Sequence, residues 1–316
     1  MLPYLNLGFT SIPMYSFMVL LGMLAFVITT IYIIEKKENK EKNITNRILI
    51  ISMLGFVVLV FFAYVFNSIF HSIEQKRMIW GGISWLGGVI GAFPIMVVLI
   101  HKFCPQVKGE ALKYFNYLIP GIALAHAFGR IGCFFGGCCY GKPTDSVFGV
   151  RFPEGSIASL VYPANSGGSL PVLPTQLFEA VFELIVVIVM LCLYRRLKDV
   201  FVEIYCFSYG IFRFLLEFLR GDERGATGLS LTPSQLMSLV LITYGVLLIL
   251  YKKGVIFSKL RIKMEYYKKN QNTFVLNCDK SAEKRLSELK RLFEKQLITE
   301  EEYTKGKEKI IEKILK

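Results

Sequence analysis

The sequence predicts an all-α membrane protein with about seven transmembrane helices, its N-terminus outside and its C-terminus in the cytoplasm, followed by a small helical hairpin. Hydrophobic residues make up 53% of the 316 residues. The mean hydropathy is +0.48, above what a soluble domain needs to fill its core. The apolar residues also gather in runs of about 20, long enough to cross roughly 30 Å of hydrocarbon as helices.

Seven apolar runs reach this length, at approximately 14–34, 48–70, 81–103, 114–134, 175–194, 201–219 and 233–251. The third and fourth runs are rich in glycine, as in WGGISWLGGVIGAFP and FGRIGCFFGG. Glycine permits both close helix packing and a broken, re-entrant segment, and the sequence leaves these alternatives open.

Lysine and arginine predict the orientation, because short cytoplasmic loops carry an excess of both. The basic loops after the first, third and fifth runs and the start of the tail fall on one side if the chain has seven spans. The segment from about 135 to 174 then lies outside. It is rich in Gly, Pro and Ser, so we expect an outward-facing lid or partner-binding loop there.

The formal net charge of +13 comes mostly from the loops and from the tail after Lys252. This distribution indicates contact with a membrane surface. No base-recognition module is visible, so nucleic acid is not an expected partner. The predicted domains are a transmembrane domain (1–255), a basic linker (256–280) and a helical hairpin (281–316).

Residues 281–316 show apolar positions with helical spacing, and Thr299 with Glu302 fits a capping box that opens a second helix. The stretch LKRLFEKQLITEEEYTKGKEKI resembles the short C-terminal module called SHOCT. The resemblance implies self-association or binding of a protein partner. An amphipathic tail lying on the inner leaflet is the alternative.

Two clusters of ionisable residues inside the apolar runs indicate a function, because a charge at the centre of a membrane helix costs about 2.5–3.5 kcal/mol on insertion scales. His126 and Arg130 are four residues apart and share one face if that segment is helical. The stretch YGIFRFLLEFLRGD repeats the spacing: Tyr209, Arg213 and Glu217, with Arg220 and Asp222 just beyond. Such a stripe indicates a polar cavity between helices.

An Arg213–Glu217 ion pair that only fastens helices, with Arg130 reaching to the interface, is the structural alternative. Two arginines argue against it, because a guanidinium stays charged and offers paired donors suited to a phosphate. In a bilayer the abundant substrate with a phosphate is a phospholipid.

Three of the seven cysteines, Cys133, Cys138 and Cys139, lie together in HAFGRIGCFFGGCCYG. Structural thiols or a disulfide on the oxidising face are the favoured interpretations. A nucleophilic thiol at Cys138 or Cys139 is an alternative, with Arg130 or His126 favouring the thiolate. The three cysteines and His126 could also supply four metal ligands, but their spacing matches no zinc pattern. No metal and no cofactor are therefore predicted.

The stretch GRIGCFFGGCCYGKPT, followed in order by LPTQLFEA and YGIFRFLLEFLRGD, resembles the prolipoprotein diacylglyceryl transferases, whose signature is approximately G-R-x-G-N-F-x-N-x-E-x-x-G. The similarity covers about residues 10–250. It implies an enzyme of the bacterial cytoplasmic membrane. Such an enzyme moves the diacylglyceryl group of phosphatidylglycerol to the thiol of a lipobox cysteine at the outer face and releases glycerol phosphate.

The resemblance also implies site residues. The signature arginine is Arg130 and the closing glycine is Gly141. The catalytic group then comprises Arg130, Arg213, Tyr209 and Glu217, with His126 as a substitute base. Substrate-binding residues are Arg130, Gly141, Tyr15, Gln176, Glu179 and Arg220.

Three positions depart from the family pattern. Leu86 replaces the histidine of the H-G-G-L-I-G motif, a proposed base for the acceptor. Cys133 replaces the signature asparagine, and Cys138 the signature glutamate. These changes retain the phosphate-binding arginines and alter the acceptor side. Transfer to a lipobox thiol is the leading hypothesis; the alternatives are transfer to an envelope glycan or another lipid headgroup, and a non-catalytic lipid-binding scaffold.

Overall fold

The structure, a computed structural model, describes residues 4–6, 11–78, 80, 82–107, 109–222, 227 and 230–256, and scattered positions between 286 and 307. Most of these residues are helical. The helices are α1 (Met14–Ile31), α2 (Lys42–Gln75), α3 (Trp85–Phe103), α4 (Ala111–Gly136), α5 (Ile157–Val161), α6 (Thr175–Cys192), α7 (Tyr194–Leu197), α8 (Phe201–Leu216) and α9 (Pro233–Lys252). A hairpin of β1 (Tyr4–Asn6) and β2 (Ser11–Pro13) precedes α1.

Among the described residues, six helices are long and apolar enough to cross a membrane: α1 with its π-helical extension to Lys37, α2, α3, α4, α6 and α9. They correspond to six of the seven predicted spans. The seventh, 201–219, is the 16-residue helix α8 followed by a 3-10 turn at Glu217–Leu219. The segment carries Glu203, Arg213 and Glu217, three charged residues whose cost inside hydrocarbon separates it from the six apolar helices. The all-α, multi-pass membrane class is confirmed, and the orientation stays a prediction.

Local sequence explains several helix ends. Thr232 and Gln235 form a reciprocal capping box at the start of α9, and Pro233 lies in the first turn, where its missing N–H breaks no helical hydrogen bond. Ser84 caps α3 by accepting a backbone N–H of the first turn. Gly137, at φ 68°, adopts the left-handed conformation that ends α4. The chain therefore leaves α4 in a tight turn just before the paired cysteines.

The two glycine-rich segments form the continuous helices α3 and α4, although each contains an internal proline. α3 packs along α2, and α4 packs along α1 and α6. A Cβ on Gly88 would lie 2.7 Å from the carbonyl oxygen of Leu59, and one on Gly22 would lie 2.9 Å from that of Ala125. Of the two alternatives, these segments adopt close packing, because small residues let helix backbones approach each other.

The segment 137–174, which we call the cap, packs around a small apolar core of its own: Tyr140, Phe152, Ala158 and Val172. Isolated β-bridges link Pro143 and Val150 to Val172. A further bridge joins Gly141 to Arg220, beyond α8. The cap is therefore an ordered structure over the end of α4, and its role as a lid or partner-binding element stays a prediction.

A polar cluster lies at the other end of the bundle, where α4 begins. One oxygen of Glu38 accepts hydrogen bonds from Tyr194 at 2.9 Å and Lys198 at 2.7 Å, and the other accepts one from Tyr117 at 2.8 Å. Burial would raise the pKa of the Glu38 carboxyl, but these hydrogen bonds outweigh it and hold the pKa below its ordinary value. This group, the Glu38 cluster, ties together the loop after α1, α4 and α7.

The predicted hairpin at 281–316 and the linker at 256–280 lie largely outside the described residues. Among the tail positions that are described, the rings of Phe293 and Tyr303 stack with their centroids 4.8 Å apart. The capping box predicted for Thr299 and Glu302 lies partly outside the described residues, because the structure describes Thr299 but not Glu302. The resemblance of the tail to SHOCT and its partner therefore stay predictions.

Candidate active site

Helices α4, α6 and α8 direct polar side chains into the bundle interior. Each helix repeats them at intervals of three or four residues, which places them on one face. All are buried: His126 and Arg130 on α4; Gln176, Glu179 and Glu183 on α6; Tyr209 and Arg213 on α8, with Glu217 in the following turn. The two polar stripes predicted from sequence therefore meet, and α6 supplies the acidic groups between them.

Glu179 lies at the centre of this arrangement and is fully buried. Its Oε2 lies 3.0 Å from Nε of Arg130. Its Oε1 accepts a hydrogen bond from the Tyr209 hydroxyl at 2.7 Å and lies 4.0 Å from Nε of Arg213. One carboxylate from α6 thus holds an arginine from α4 and another from α8. We call His126, Arg130, Glu179, Tyr209 and Arg213 the Glu179 cluster.

His126 has a partner at each ring nitrogen. Nδ1 lies 2.7 Å from Oε1 of Glu183, and Nε2 accepts from Nε of Arg130 at 3.1 Å. The indole of Trp85 stacks on the imidazole with centroids 4.5 Å apart, and the Tyr205 hydroxyl donates to Oε1 of Glu183 at 3.0 Å. The histidine is therefore locked between an acid and an arginine.

Glu183, Tyr205 and Trp85 are absent from the residues predicted by sequence. Glu183 carries a usable signal, since it is an acidic residue inside an apolar run four positions after Glu179. Tyr205 likewise precedes Tyr209 by four positions. Trp85 gives no such signal, because only the packing of α3 against α4 brings its ring onto His126.

Arg213 also contacts the start of α9. Its Nη1 donates to Oε2 of Glu217 at 2.7 Å, and its Nη2 donates to Oγ of Ser234 at 2.8 Å. The Thr232 hydroxyl donates to the other oxygen of Glu217 at 2.9 Å. The predicted Arg213–Glu217 pair therefore exists, and it joins α8 to the capped N-terminus of α9.

Arg220 and Gly141 meet where the cap rests on the turn after α8. The guanidinium of Arg220 pairs with both oxygens of Asp222, at 2.7 and 2.8 Å, and its buried Nη1 has no hydrogen-bond partner within the described part of the chain. A Cβ on Gly141 would lie 2.7 Å from the carbonyl oxygen of Leu219. Glycine is therefore required at this contact, which explains the closing residue of the signature.

The three cysteines form a compact cluster at the C-terminal end of α4, with Cys133 in its last turn and Cys138 and Cys139 just beyond it. Their Sγ atoms all lie within 4.8 Å of one another, and the three are reduced thiols. The hydrogen bond between Cys138 and Cys133 lowers the pKa of the Cys138 thiol, but contact with Cys139 and burial raise it further, to about 11. Cys138 therefore carries its proton at neutral pH, which argues against an unassisted thiolate nucleophile.

α6 holds the loop that carries the paired cysteines. Nε2 of Gln176 donates to the carbonyl oxygen of Cys138 at 2.6 Å, and the Thr175 hydroxyl donates to that of Cys139 at 2.8 Å. The backbone of Cys139 is left-handed, at φ 63°, a conformation that residues with a side chain rarely adopt. Gln176, predicted as a substrate-binding residue, positions this loop, and its buried Oε1 has no hydrogen-bond partner among the residues that the structure describes.

Two other predicted positions lie near this centre. Tyr15, in the first turn of α1, is 38% exposed, and its ring would lie 3.2 Å from a Cβ on Gly132 of α4. It interacts electrostatically with Cys133 and Arg130. Leu86 is buried in the apolar core beside Trp85 and has no group that could accept a proton.

Comparison with known proteins shows the family. The sequence profile of the prolipoprotein diacylglyceryl transferase family matches residues 3–251. The chain belongs to this family. It is therefore a transferase, and every residue of the site described above lies inside the matched region, whereas 252–316 lie outside it.

Individual relatives carry the full name phosphatidylglycerol–prolipoprotein diacylglyceryl transferase. The protein from Clostridium tetani is 32% identical over 238 residues, which are 73% of this chain and 90% of the relative. Transferase 2 of Clostridium perfringens is 35% identical over 184 residues, 58% of this chain and 64% of the relative. The protein from Francisella tularensis subsp. tularensis is 28% identical over 270 residues, 81% and 93% respectively. The family resemblance inferred from the motifs is thus confirmed.

Proposed function

We propose that this chain transfers the diacylglyceryl group of phosphatidylglycerol to the thiol of a lipobox cysteine in prolipoproteins, at the outer face of the bacterial cytoplasmic membrane. One observation carries the proposal: Arg130 and Arg213 are held on the same buried carboxylate, Glu179, between membrane helices. The names of the relatives support the same reaction.

The Glu179 cluster has the hydrogen-bond donors needed to bind a phosphate. Two guanidinium groups converge on the Glu179 carboxylate, and Arg213 also pairs with Glu217. The contacts from Glu179 and His126 both engage Nε of Arg130. This geometry directs the paired Nη groups of Arg130 to a further anion, and a phosphodiester oxygen pair fits such a donor pair.

The reaction leaves glycerol phosphate with an additional negative charge on the departing oxygen. Fixed positive groups aimed at that oxygen stabilise the transition state more than the substrate, since the charge develops only as the bond breaks. We assign this role to Arg130 and Arg213. The Tyr209 hydroxyl donates to Glu179, which contacts both arginines, and Glu217 pairs directly with Arg213. Tyr209 and Glu217 therefore act as positioning residues.

The remaining predicted residues surround this centre. Tyr15 and the cap residue Gly141 border it from α1 and from the outer side, and Arg220 adds a third buried guanidinium. We propose that these residues accommodate the headgroup and that Gln176 fixes the cysteine loop beside it. The geometry supports a positioning role for His126, because both of its nitrogens are engaged by Glu183 and Arg130.

The test uses the purified full chain in membranes that contain phosphatidylglycerol, with a synthetic peptide carrying a lipobox. Mass spectrometry should show the peptide gaining one diacylglyceryl group, with one glycerol phosphate released per modified peptide. A matched peptide with serine in place of the cysteine should remain unmodified.

The other acceptor classes give different results in the same assay. Release of glycerol phosphate without peptide modification would refute the lipobox acceptor and support a glycan or lipid headgroup. Binding of phosphatidylglycerol with no turnover would refute the enzymatic proposal and support a lipid-binding scaffold.

A further inference from the structure

The cluster of Cys133, Cys138 and Cys139 has the geometry of a metal site. The three Sγ atoms lie within 4.8 Å of one another. Two thiolates on a tetrahedral zinc ion, with bonds of about 2.3 Å, lie roughly 3.8 Å apart. The largest sulfur–sulfur separation in the cluster therefore exceeds the zinc value by at most about 1 Å.

The loop that carries two of these ligands is held in place before any ligand binds. Hydrogen bonds from Gln176 and Thr175 fix the carbonyl groups of Cys138 and Cys139. Cys139 retains a left-handed backbone, at φ 63°, that a side chain disfavours. Backbone strain of this kind persists where the surrounding structure enforces it, often at functional sites. Here it places the Cys139 sulfur beside the other two.

The ligand set selects the ion. Three sulfur ligands favour soft or borderline metals, and oxygen-preferring ions such as Mg²⁺ and Ca²⁺ do not suit them. A zinc site with three protein ligands keeps its fourth position for water or substrate. The three cysteines are partly buried, so a fourth ligand can approach. Arg130 interacts electrostatically with Cys133 and Cys139 and offsets the negative charge of three thiolates on a divalent ion.

The acceptor in the proposed reaction is a thiol, and only its thiolate is a good nucleophile. His126 is engaged at both nitrogens, and Leu86 cannot take a proton. A thiol bound to zinc loses its proton without a protein base. We propose that Cys133, Cys138 and Cys139 bind a zinc ion and that the acceptor cysteine occupies its fourth position as the attacking thiolate. This inference rests on the proposed function.

In the proposed step, the acceptor thiol binds the zinc ion and releases its proton to water. Its sulfur then attacks the glyceryl CH₂ carbon that carries the phosphate ester, forming a C–S bond while the C–O bond breaks. The electron pair leaves with the oxygen of glycerol phosphate, beside Arg130 and Arg213. The product thioether is a weaker zinc ligand than the thiolate, so it can dissociate.

The first measurement is metal content. The full chain, purified in detergent with zinc-buffered solutions, should hold about one zinc ion per chain by elemental analysis. Cys133→Ser, Cys138→Ser and Cys139→Ser should each weaken zinc binding by at least about 100-fold. Cys192→Ser is the matched control, because Cys192 is exposed at the end of α6 and far from the cluster in sequence; it should bind zinc as the wild type does.

The second measurement follows the acceptor on cobalt, a spectroscopic substitute for zinc, in the wild-type chain. Cobalt should give sulfur-to-metal charge-transfer absorption, and the lipobox peptide should increase it by adding a fourth thiolate. The serine peptide should leave the spectrum unchanged. This comparison does not depend on a variant that folds poorly.

Several results would overturn the inference. These are a wild-type chain without zinc, a Cys133–Cys138 or Cys133–Cys139 disulfide in the active protein, preferential binding of copper(I), and a cobalt spectrum that the cysteine peptide does not alter. Undiminished transfer by metal-free protein would refute the zinc site and leave the proposed function intact. A cobalt spectrum that responds to the peptide, without lipid transfer, would refute the proposed function and support the site.

Discussion

The two polar clusters at opposite ends of the bundle differ in how completely their groups are paired. In the half-buried Glu38 cluster, three donors converge on one carboxylate and both of its oxygens are occupied. In the buried Glu179 cluster, two arginines share one carboxylate, and the neighbouring Gln176 and Arg220 each retain a buried polar atom that has no hydrogen-bond partner among the described residues.

The difference separates a structural role from a binding role. A carboxylate surrounded by donors has little capacity left for a ligand, so the Glu38 cluster serves to join helices and loops. A buried guanidinium donor that lacks a partner among the described residues, such as Nη1 of Arg220, can bind an anion, because the anion supplies the missing acceptor. Changes at the two ends should therefore affect different properties of the protein.

The largest effect should come from Arg130→Ala. Loss of a guanidinium that stabilises developing charge should lower kcat/KM for peptide modification by on the order of 100-fold to 1000-fold. Arg130→Lys retains the charge but not the paired donors, so it should recover only a small part of the activity. Initial rates from the mass-spectrometric assay measure both. Wild-type rates in either variant would show that the Glu179 cluster, like the Glu38 cluster, has only a structural role.

A smaller effect is expected at His126. His126→Asn should lower kcat by about tenfold, because Arg130 loses one of the contacts that orient it. The pH profile of kcat should keep its shape if His126 is a positioning residue. If the profile loses an ionisation instead, His126 is the base that deprotonates the acceptor, and the zinc assignment loses its rationale.

Glu38→Gln should act on stability and leave catalysis nearly unchanged. The substitution removes the charge that three donors share, and hydrogen bonds to charged groups contribute about 1.5–3 kcal/mol. The thermal unfolding temperature in detergent should fall by several degrees, with transfer rates within about twofold of the wild type. A large loss of activity at full stability would place the Glu38 cluster in the catalytic machinery.

The smallest effect concerns pH and stability. The pKa of Glu38 is lowered in the folded chain, so this carboxyl contributes stability above its unfolded pKa of about 4.3. That contribution should disappear as the pH falls below this value and through the lower folded pKa. Thermal unfolding of the wild type between pH 7 and pH 3 should show the loss, and Glu38→Gln should lack this component. If the unfolding temperatures of the wild type and Glu38→Gln fell in parallel with pH, Glu38 would not be the source of the loss.

The spans and the two polar stripes could be predicted from sequence because both depend on local spacing. Runs of about 20 apolar residues specify membrane helices, and intervals of four place Tyr209 and Arg213 on one face. The seventh run, 201–219, is helical as predicted, but its three charged residues separate it from the apolar spans, and its last turn, where Glu217 pairs with Arg213, is a 3-10 turn. Glu183 is not among the predicted site residues, although it follows Glu179 by four positions and the same spacing rule places it on that face.

The sequence by itself determined the membrane class, the family and the arginines, because apolar length, helical period and motif order are all properties of the chain. Only the tertiary structure decided that Glu179 joins Arg130 to Arg213, that Trp85 and Glu183 lock His126, and that the three thiols converge. Those contacts join residues from different helices, and their distances depend on how closely the glycine-lined surfaces of the helices pack.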